Sequence, residues 1–216
     1  MTFDVHLAVQ ILPLLLRGLV VTIEATLAGF VCALIGGLVL APGYRANSQI
    51  ARTASRGLVE FIRNTPLLVQ LYFLFYGLPL LGIRFSAMLT GVLGLGIYYS
   101  AYIAEVYRGG VDAIPAGQWD AAQALRFSRS QTWRRIILPQ AIPPVIPVLG
   151  NYLIGMFKET PLLAMITIPE LLSAARQVTG TTYRYTEPYT MVALIFLVIS
   201  YSTSLLFRHL ERRIGV

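Results

Sequence analysis

The polar side chains most able to do chemistry in this sequence stand inside long apolar stretches. Such groups are expected to line a path and bind a polar solute there, because lipid would not solvate them. Lys158 and Glu159 are adjacent, hence roughly 100° apart on a helix, so they need not pair with each other. The other candidates for lining a path are Asn64, Gln70, Tyr98, Tyr99 and Asn151.

A purely structural explanation exists for each of these residues. Aromatic side chains on a buried helix usually pack against their neighbours without contacting a solute. Lys158 could mark the outer membrane interface by extending its charged end to water. The sequence leaves both explanations open beside the path-lining one.

Covalent catalysis and a resident cofactor are not indicated. The only histidines, His6 and His209, stand at opposite ends of the chain, which argues against a His-based catalytic pair. Lys158 is the only lysine, and its segment GNYLIGMFKET lacks the glycine spacing of a phosphate-binding loop, so ATP and Mg²⁺ would have to be bound by another subunit. Cys32 is the only cysteine, so neither a disulfide framework nor a cysteine-based metal site is expected.

Composition indicates an integral membrane protein. The 216 residues are 56% hydrophobic and 12% charged, which is too apolar for one soluble core of this size. A net charge of +7 could suggest nucleic acid, but the arginines stand in short clusters between apolar runs. We therefore expect lipid, and no nucleic acid, around the chain.

Five segments reach the roughly 20 apolar residues that a spanning helix needs. Arginines concentrate between the first two segments, between the third and fourth, and in the tail. The positive-inside rule then places the amino terminus outside and the carboxyl terminus in the cytoplasm. A short amphipathic helix is expected at 166–178, on the outer side. The predicted spans are 14–40, 58–82, 86–107, 140–160 and 188–207.

The least apolar run, QWDAAQALRFSRSQTWRRIILPQ at 118–140, falls on the cytoplasmic side of this topology. DAAQAL predicts a first short helix, and Ser128 with Gln131 fits a capping box that starts a second helix near residue 129. The second helix is expected to end about Leu138-Pro139. Two such helices could dock a cytosolic partner or rest on lipid headgroups.

The same run resembles the signature loop of ABC-importer permeases, EAAxxxG followed further on by IxLP. The flanks EFIRNTPLLVQLYFLFYGLP (60–79), SAYIAEVYRGGVDAIPAGQW (100–119) and FKETPLL (157–163) resemble the polar amino acid branch, the histidine, glutamine and arginine uptake type. Residues at matching positions of the loop are Asp120, Ala121, Ala122, Ile136, Leu138 and Pro139.

Two positions depart from that pattern. Asp120 replaces the usual glutamate, which keeps the charge and shortens its reach. Arg126 stands where the family usually has glycine, and a non-glycine residue in a left-handed turn costs about 1 kcal/mol. We therefore expect the first helix to run on and Phe127-Ser128 to make the turn. In either case Arg126 adds a cation at the ATPase surface.

The resemblance implies an all-α integral protein with the type I ABC importer permease fold, one domain over 1–216, in the bacterial inner membrane. Its coupling loop, 111–139 with Gln118 included, would dock one of two cytosolic ABC ATPase subunits. A second permease subunit, identical or paralogous, would complete the pore, and an extracytoplasmic binding protein would deliver the solute.

The resemblance also bears on what is carried. It implies import of a polar amino acid or an amino-acid-like solute by alternating access, with Glu159 near the family's acidic substrate contact. Tyr98 stands where relatives often have a small amide, so a cyclic compatible solute or an opine-like compound stays open. Two rivals remain: a secondary transporter driven by an ion gradient, against which the lack of an inverted repeat argues, and a membrane scaffold that recruits a partner without transport.

Overall fold

Helices make up nearly all of the protein, and no strand occurs in residues 3–214, which are the part that this computed structural model describes. The long helices are α1 (Val5–Leu40), α4 (Ala87–Asp112), α7 (Leu138–Glu159) and α9 (Thr186–Ile214). The shorter ones are α2 (Gln49–Asn64), α3 (Leu67–Tyr72), α5 (Ala116–Ala124), α6 (Arg129–Thr132) and α8 (Leu171–Thr182). Short 3-10 or π turns fill Ala41–Arg45, Phe73–Gly77, Leu78–Leu81, Trp133–Ile137 and Thr160–Ile166.

Four helical segments of the described chain are long and apolar enough to cross a membrane, and a bent pair makes a fifth. The predicted all-helical chain with about five spans is confirmed in this form. The first and fourth spans begin at Val5 and Arg129, which is earlier in the chain than the predicted starts at 14 and 140. The four segments are Val5–Arg45, Ala87–Asp112, Arg129–Ile166 and Thr186–Arg213, and the bent pair is Gln49–Asn64 with Leu67–Leu81.

The second span is broken, so the prediction of one continuous helix over 58–82 is wrong. The two halves meet at an angle of 98° around Thr65 and Pro66. Pro66 has no N–H to donate, and the residue before a proline is driven out of the helical region, as the extended backbone of Thr65 (φ −99°, ψ 124°) shows. Gln70 stabilises the break, because its Nε2 donates to the carbonyls of Ile62 (2.8 Å) and Thr65 (3.0 Å).

Replacing Gln70 with leucine should weaken this break. Two carbonyls at the end of α2 would lose their donor, and an unsatisfied buried polar group costs about 1–3 kcal/mol. We expect the Gln70→Leu protein to unfold at a lower temperature in detergent, whereas Gln10→Leu, on the exposed side of α1, should not. Equal unfolding temperatures for the two variants would show that Gln70 does not hold the break.

The helix pair with the most extensive contact is α1 with α4, which pack together over a run of small residues. Gly29, Ala33 and Gly37 recur at every fourth position of α1, the spacing that lets membrane helices approach. A Cβ on Gly37 would lie 2.6 Å from Cγ2 of Ile103 and 3.2 Å from the backbone nitrogen of Ala104. The packing of α1 against α4 therefore depends on the small size of the residues at these positions.

The amphipathic helix predicted at 166–178 is present as α8, which begins at Leu171 and packs on α1 and α9. Glu170 is fully buried and caps it, since its carboxylate accepts from the N–H groups of Leu172 (2.8 Å) and Ser173 (2.7 Å). Burial raises the pKa of the Glu170 carboxyl, and these two N–H donors oppose that shift. The Thr22 hydroxyl accepts from Leu171 N–H at 3.1 Å, which ties α8 to the middle of α1.

Candidate functional site

The polar loop at 111–139 forms the two expected helical pieces, but the second does not stop at Leu138-Pro139. It begins at Arg129 with the predicted capping box of Ser128 and Gln131, then passes through the π turn Trp133–Ile137 into α7. The predicted end is wrong because the N–H of Leu138 reaches back to the carbonyl of Trp133, and this wider turn accommodates the proline at 139. The second half of the loop is therefore continuous with the helix of the fourth span.

Arg126 is the residue that turns the chain between α5 and α6. Its φ is +56°, so the expectation that Phe127 and Ser128 make the turn is wrong. The Arg126 N–H donates to the carbonyl of Gln123 (2.9 Å), and the Phe127 N–H donates to that of Ala122 (3.0 Å). This is the paired bonding of a Schellman motif, which requires a left-handed residue after the helix cap. The two hydrogen bonds to helix-end carbonyls stabilise the turn by more than the left-handed conformation of Arg126 costs.

Replacing Arg126 with glycine should stabilise the loop by about 1 kcal/mol, because glycine adopts positive φ without the Cβ clash. Amide hydrogen exchange at 122–127 should slow by about fivefold, because a stabilisation of about 1 kcal/mol lowers the population of the open state by that factor. Arg126→Ala is the matched control, since it removes the same charge and keeps the strain. Slower exchange in both variants would assign the effect to the charge.

Side-chain contacts also hold the first helix of the loop, α5, against the second helical piece and the start of α7. Gln140 Nε2 donates to Gln118 Oε1 (3.2 Å), and the rings of Trp119 and Trp133 meet edge to face with centroids 5.7 Å apart. Ala122, the second alanine of the signature, is buried. The side chains left exposed for a partner are those of Gln118, Asp120, Ala121, Arg126, Leu138 and Pro139, whereas Ile136 is half-buried.

An ion network joins this loop to the ends of α1 and α4. Asp112, the last residue of α4, pairs with Arg45 and accepts from Nη1 of Arg108 at 2.8 Å. Arg45 and Asp112 also line a cleft of about 520 Å³ that includes Trp119 and Asp120. A force on the loop would thus reach both the first and the third span.

Four of the predicted path residues come together in one cavity of about 520 Å³ between α4 and α7. These residues are Tyr98, Tyr99, Asn151 and Glu159. Sequence reasoning did not place Tyr152 here, although Tyr152 precedes Glu159 by two helical turns and so shares its face. The remaining lining residues are Tyr102, Val148 and Gly155.

Hydrogen bonds and ring contacts organise the tyrosines around the single carboxylate of this cavity. Tyr99 Oη donates to Glu159 Oε2 at 3.0 Å, and the hydroxyl oxygens of Tyr98 and Tyr102 are 3.1 Å apart. The Tyr99 and Tyr152 rings meet at 77° with centroids 6.0 Å apart. A half-buried carboxylate among tyrosine faces is suited to a cationic group. No group of three metal-ligating side chains occurs within residues 3–214.

The other three predicted path residues lie elsewhere. Asn64 is exposed at the end of α2, and Gln70 serves the break in the second span. Lys158 lies in a separate groove between α7 and α9. The break itself borders the cavity, since Tyr102 Oη donates to the carbonyl of Arg63 at 3.4 Å. Helices interrupted beside a polar cavity are a feature of membrane transport sites.

A broken span, a polar cavity inside the helix bundle and a helical loop beside the arginine clusters together define a membrane transport subunit. The chain belongs to the family of binding-protein-dependent transport system inner membrane components, whose family model matches residues 33–216. Members are the non-enzymatic permease subunits of ABC importers, and a separate subunit hydrolyses ATP. The chain is therefore a multi-pass protein of the bacterial inner membrane.

Individual relatives match over almost the whole chain. The probable amino-acid ABC transporter permease protein y4tG of Sinorhizobium fredii is 46% identical over 95% of this chain and 89% of its own length. The probable amino-acid ABC transporter permease protein YckA of Bacillus subtilis is 33% identical over 98% and 93%.

Solved structures agree with the type I permease fold. A crystal structure of an amino acid ABC transporter with histidines superposes with a TM-score of 0.92 at 36% identity, covering 99% of this chain and all of that one. The inward-facing methionine transporter MetNI superposes with a TM-score of 0.73 at 18% identity, covering 98% and 99% of the two chains, and supports the fold alone.

Proposed function

We propose that this permease imports a polar amino acid or an amino-acid-like solute, and that Glu159 neutralises the cationic group of the solute. The observation that carries the proposal is the cavity in which Tyr99 holds the Glu159 carboxylate at 3.0 Å among four tyrosines. A carboxylate placed inside a membrane bundle is costly unless it serves a polar path. Two relatives, y4tG and YckA, are named as probable amino-acid ABC transporter permeases, which supports the same class of solute.

The proposal assigns residues 111–139, within one membrane domain over 1–216, the contact with a cytosolic ATPase. Two ATPase subunits would bind ATP and Mg²⁺, and each would meet one permease subunit through Gln118, Asp120 and their exposed neighbours. The second permease is identical or paralogous, and a binding protein delivers the solute on the outer side. With the amino terminus outside, closure of the ATPases would move the loop, and the loop would move α4 and α7.

Transport by this chain is tested by reconstituting the purified complex, isolated with the subunits that accompany it, into proteoliposomes. A mixture of amino acids and related zwitterions is offered with the binding protein, and the contents are identified by mass spectrometry. We expect uptake that requires ATP and survives collapse of ion gradients. Uptake that follows an ion gradient without ATP would favour the secondary transporter, and no uptake of any solute would favour the scaffold.

A further inference from the structure

Helix α2, the half of the broken second span that precedes Pro66, runs across the bundle. The next half runs antiparallel to α4, because Tyr102 of α4 contacts the carbonyl of Arg63 just before it, and Gly94, two turns back along α4, contacts Leu71. The axis of α2 makes an angle of 98° with this half. Since the long helices cross the membrane, α2 lies near the membrane plane.

The depth of α2 follows from its contact with α4. The buried residues Val59 and Ile62 of α2 pack in one cluster with Ala104, and Glu105 is the first charged residue of α4. The uncharged stretch 87–104 before it is about 27 Å long at 1.5 Å per residue. That length is close to the roughly 30 Å of a bilayer's apolar core. Helix α2 therefore lies at the edge of this core, on the side of the coupling loop.

One side of α2 is apolar and exposed. Ile50, Leu58 and Phe61 recur at helical spacing and are 83%, 48% and 68% exposed. Arg52 and Arg56 each stand two residues from a member of this stripe, which places them about 160° away around the helix. A helix of this kind at the edge of a bilayer buries its apolar stripe among the acyl chains and directs its cations toward the headgroups.

The two arginines carry charge that nearby carboxylates do not neutralise. Neither Arg52 nor Arg56 makes an ion pair in the described part of the chain, residues 3–214. Arg56 lines a cleft of about 300 Å³ that contains three arginines and two glutamates. One of these glutamates, Glu105, accepts from Nε of Arg108 at 3.2 Å. The remaining positive charge suits the phosphate of an anionic lipid.

We propose that α2 rests in the membrane interface on the side of the coupling loop and binds anionic lipid. The stripe of Ile50, Leu58 and Phe61 contacts the acyl chains, while Arg52 and Arg56 bind headgroup phosphates. That side is cytoplasmic in the proposed topology. The observation that selects lipid as the occupant is that the apolar stripe and the unpaired cations lie on opposite sides of one helix at the edge of the apolar core. The inference does not depend on which solute is carried.

Lipid binding is measured on the purified complex, isolated with the subunits that accompany it. The complex is reconstituted into nanodiscs of phosphatidylcholine and phosphatidylglycerol in equal parts, released into detergent, and its retained lipids are identified by native mass spectrometry. We expect the parent to retain phosphatidylglycerol preferentially. Replacing both Arg52 and Arg56 with glutamine should lower that preference at least about fivefold, because one arginine near an anionic surface contributes about that factor.

The matched control replaces Arg212 and Arg213, two exposed arginines near the end of α9, with glutamine. Its preference for phosphatidylglycerol should stay within about twofold of the parent value. An equal loss in the two double variants would overturn the proposal, by assigning the preference to overall charge. An unchanged preference after replacement of Arg52 and Arg56 would overturn it as well.

The membrane contact of the apolar stripe is measured separately with a nitroxide label. Leu58→Cys or Thr53→Cys carries the label, each in a Cys32→Ala complex; Thr53 is exposed and lies about 140° around α2 from Leu58. We expect lipid-soluble oxygen to relax the label at 58 and a water-soluble nickel chelate to relax the label at 53. Relaxation of the label at 58 by the nickel chelate would overturn the proposal. A label at 58 that neither reagent reaches would overturn it too, by assigning the stripe to a contact with another subunit.

Discussion

Uptake by the Glu159→Gln permease should fall by about 30-fold or more at limiting solute, while the complex still assembles and hydrolyses ATP without solute. The substitution keeps the size of the side chain and removes the charge that faces the tyrosines. Leaving a cation unpaired in a partly buried site costs about 2–5 kcal/mol, which is a factor of 30 or more. Tyr99→Phe, which removes only the hydrogen bond to Glu159, should lose about 3- to 10-fold.

The matched control is Glu24→Gln, because Glu24 is an exposed carboxylate on α1, outside the cavity. Uptake by this variant should stay near the parent value. The same loss in both variants would mean that any carboxylate in the bundle is needed for assembly or insertion. Normal uptake by Glu159→Gln would remove Glu159 from the solute site.

Gly37→Leu should lower the free energy of unfolding by about 3 kcal/mol, the upper range for overpacking a close interface. The added side chain would meet Ile103 Cγ2 at 2.6 Å and the backbone nitrogen of Ala104 at 3.2 Å, so α1 and α4 would have to separate. Thermal unfolding of the solubilised complex measures the change, and the expected result is a lower midpoint with a lower yield from membranes.

Gly57→Leu is the control for this variant, since a Cβ on Gly57 has no neighbour within 4 Å. The stability of helix α2 should increase slightly in this variant, because leucine favours a helix more than glycine does. A Gly37→Leu protein as stable as the parent would show that the small-residue stripe does not set the distance between α1 and α4.

Those parts of the fold that depend on local patterns could be predicted from the sequence. The capping box at Ser128 and Gln131 formed as expected, because its two hydrogen bonds involve residues three apart. Spans were predictable because hydropathy over about 20 residues depends little on tertiary contacts. Tyr98, Tyr99 and Glu159 were predicted to line a solute path because lipid does not solvate polar groups, and all three line one cavity, whereas their contact with a solute stays a prediction.

The features that could not be predicted are those in which one local preference opposes another or in which distant segments pack together. The break at Pro66 has a local signal, a threonine before proline, but hydropathy over 58–82 favoured one helix and concealed it. At Arg126 the prediction counted the cost of a left-handed arginine and omitted the two helix-end carbonyls that this conformation satisfies. The groove of Lys158 depends on the packing of α7 against α9, which no local pattern encodes.

We propose that residues 111–139 couple this permease to an ATPase, and a pull-down from native membranes in mild detergent tests this coupling. The parent chain is compared with Asp120→Arg, which reverses a charge on the exposed face of α5, and with Glu211→Arg, which reverses one on α9 outside the loop. We expect an ABC ATPase to be recovered with the parent and with Glu211→Arg, and little or none with Asp120→Arg. No ATPase with any of the three, in crosslinked samples as well, would contradict it.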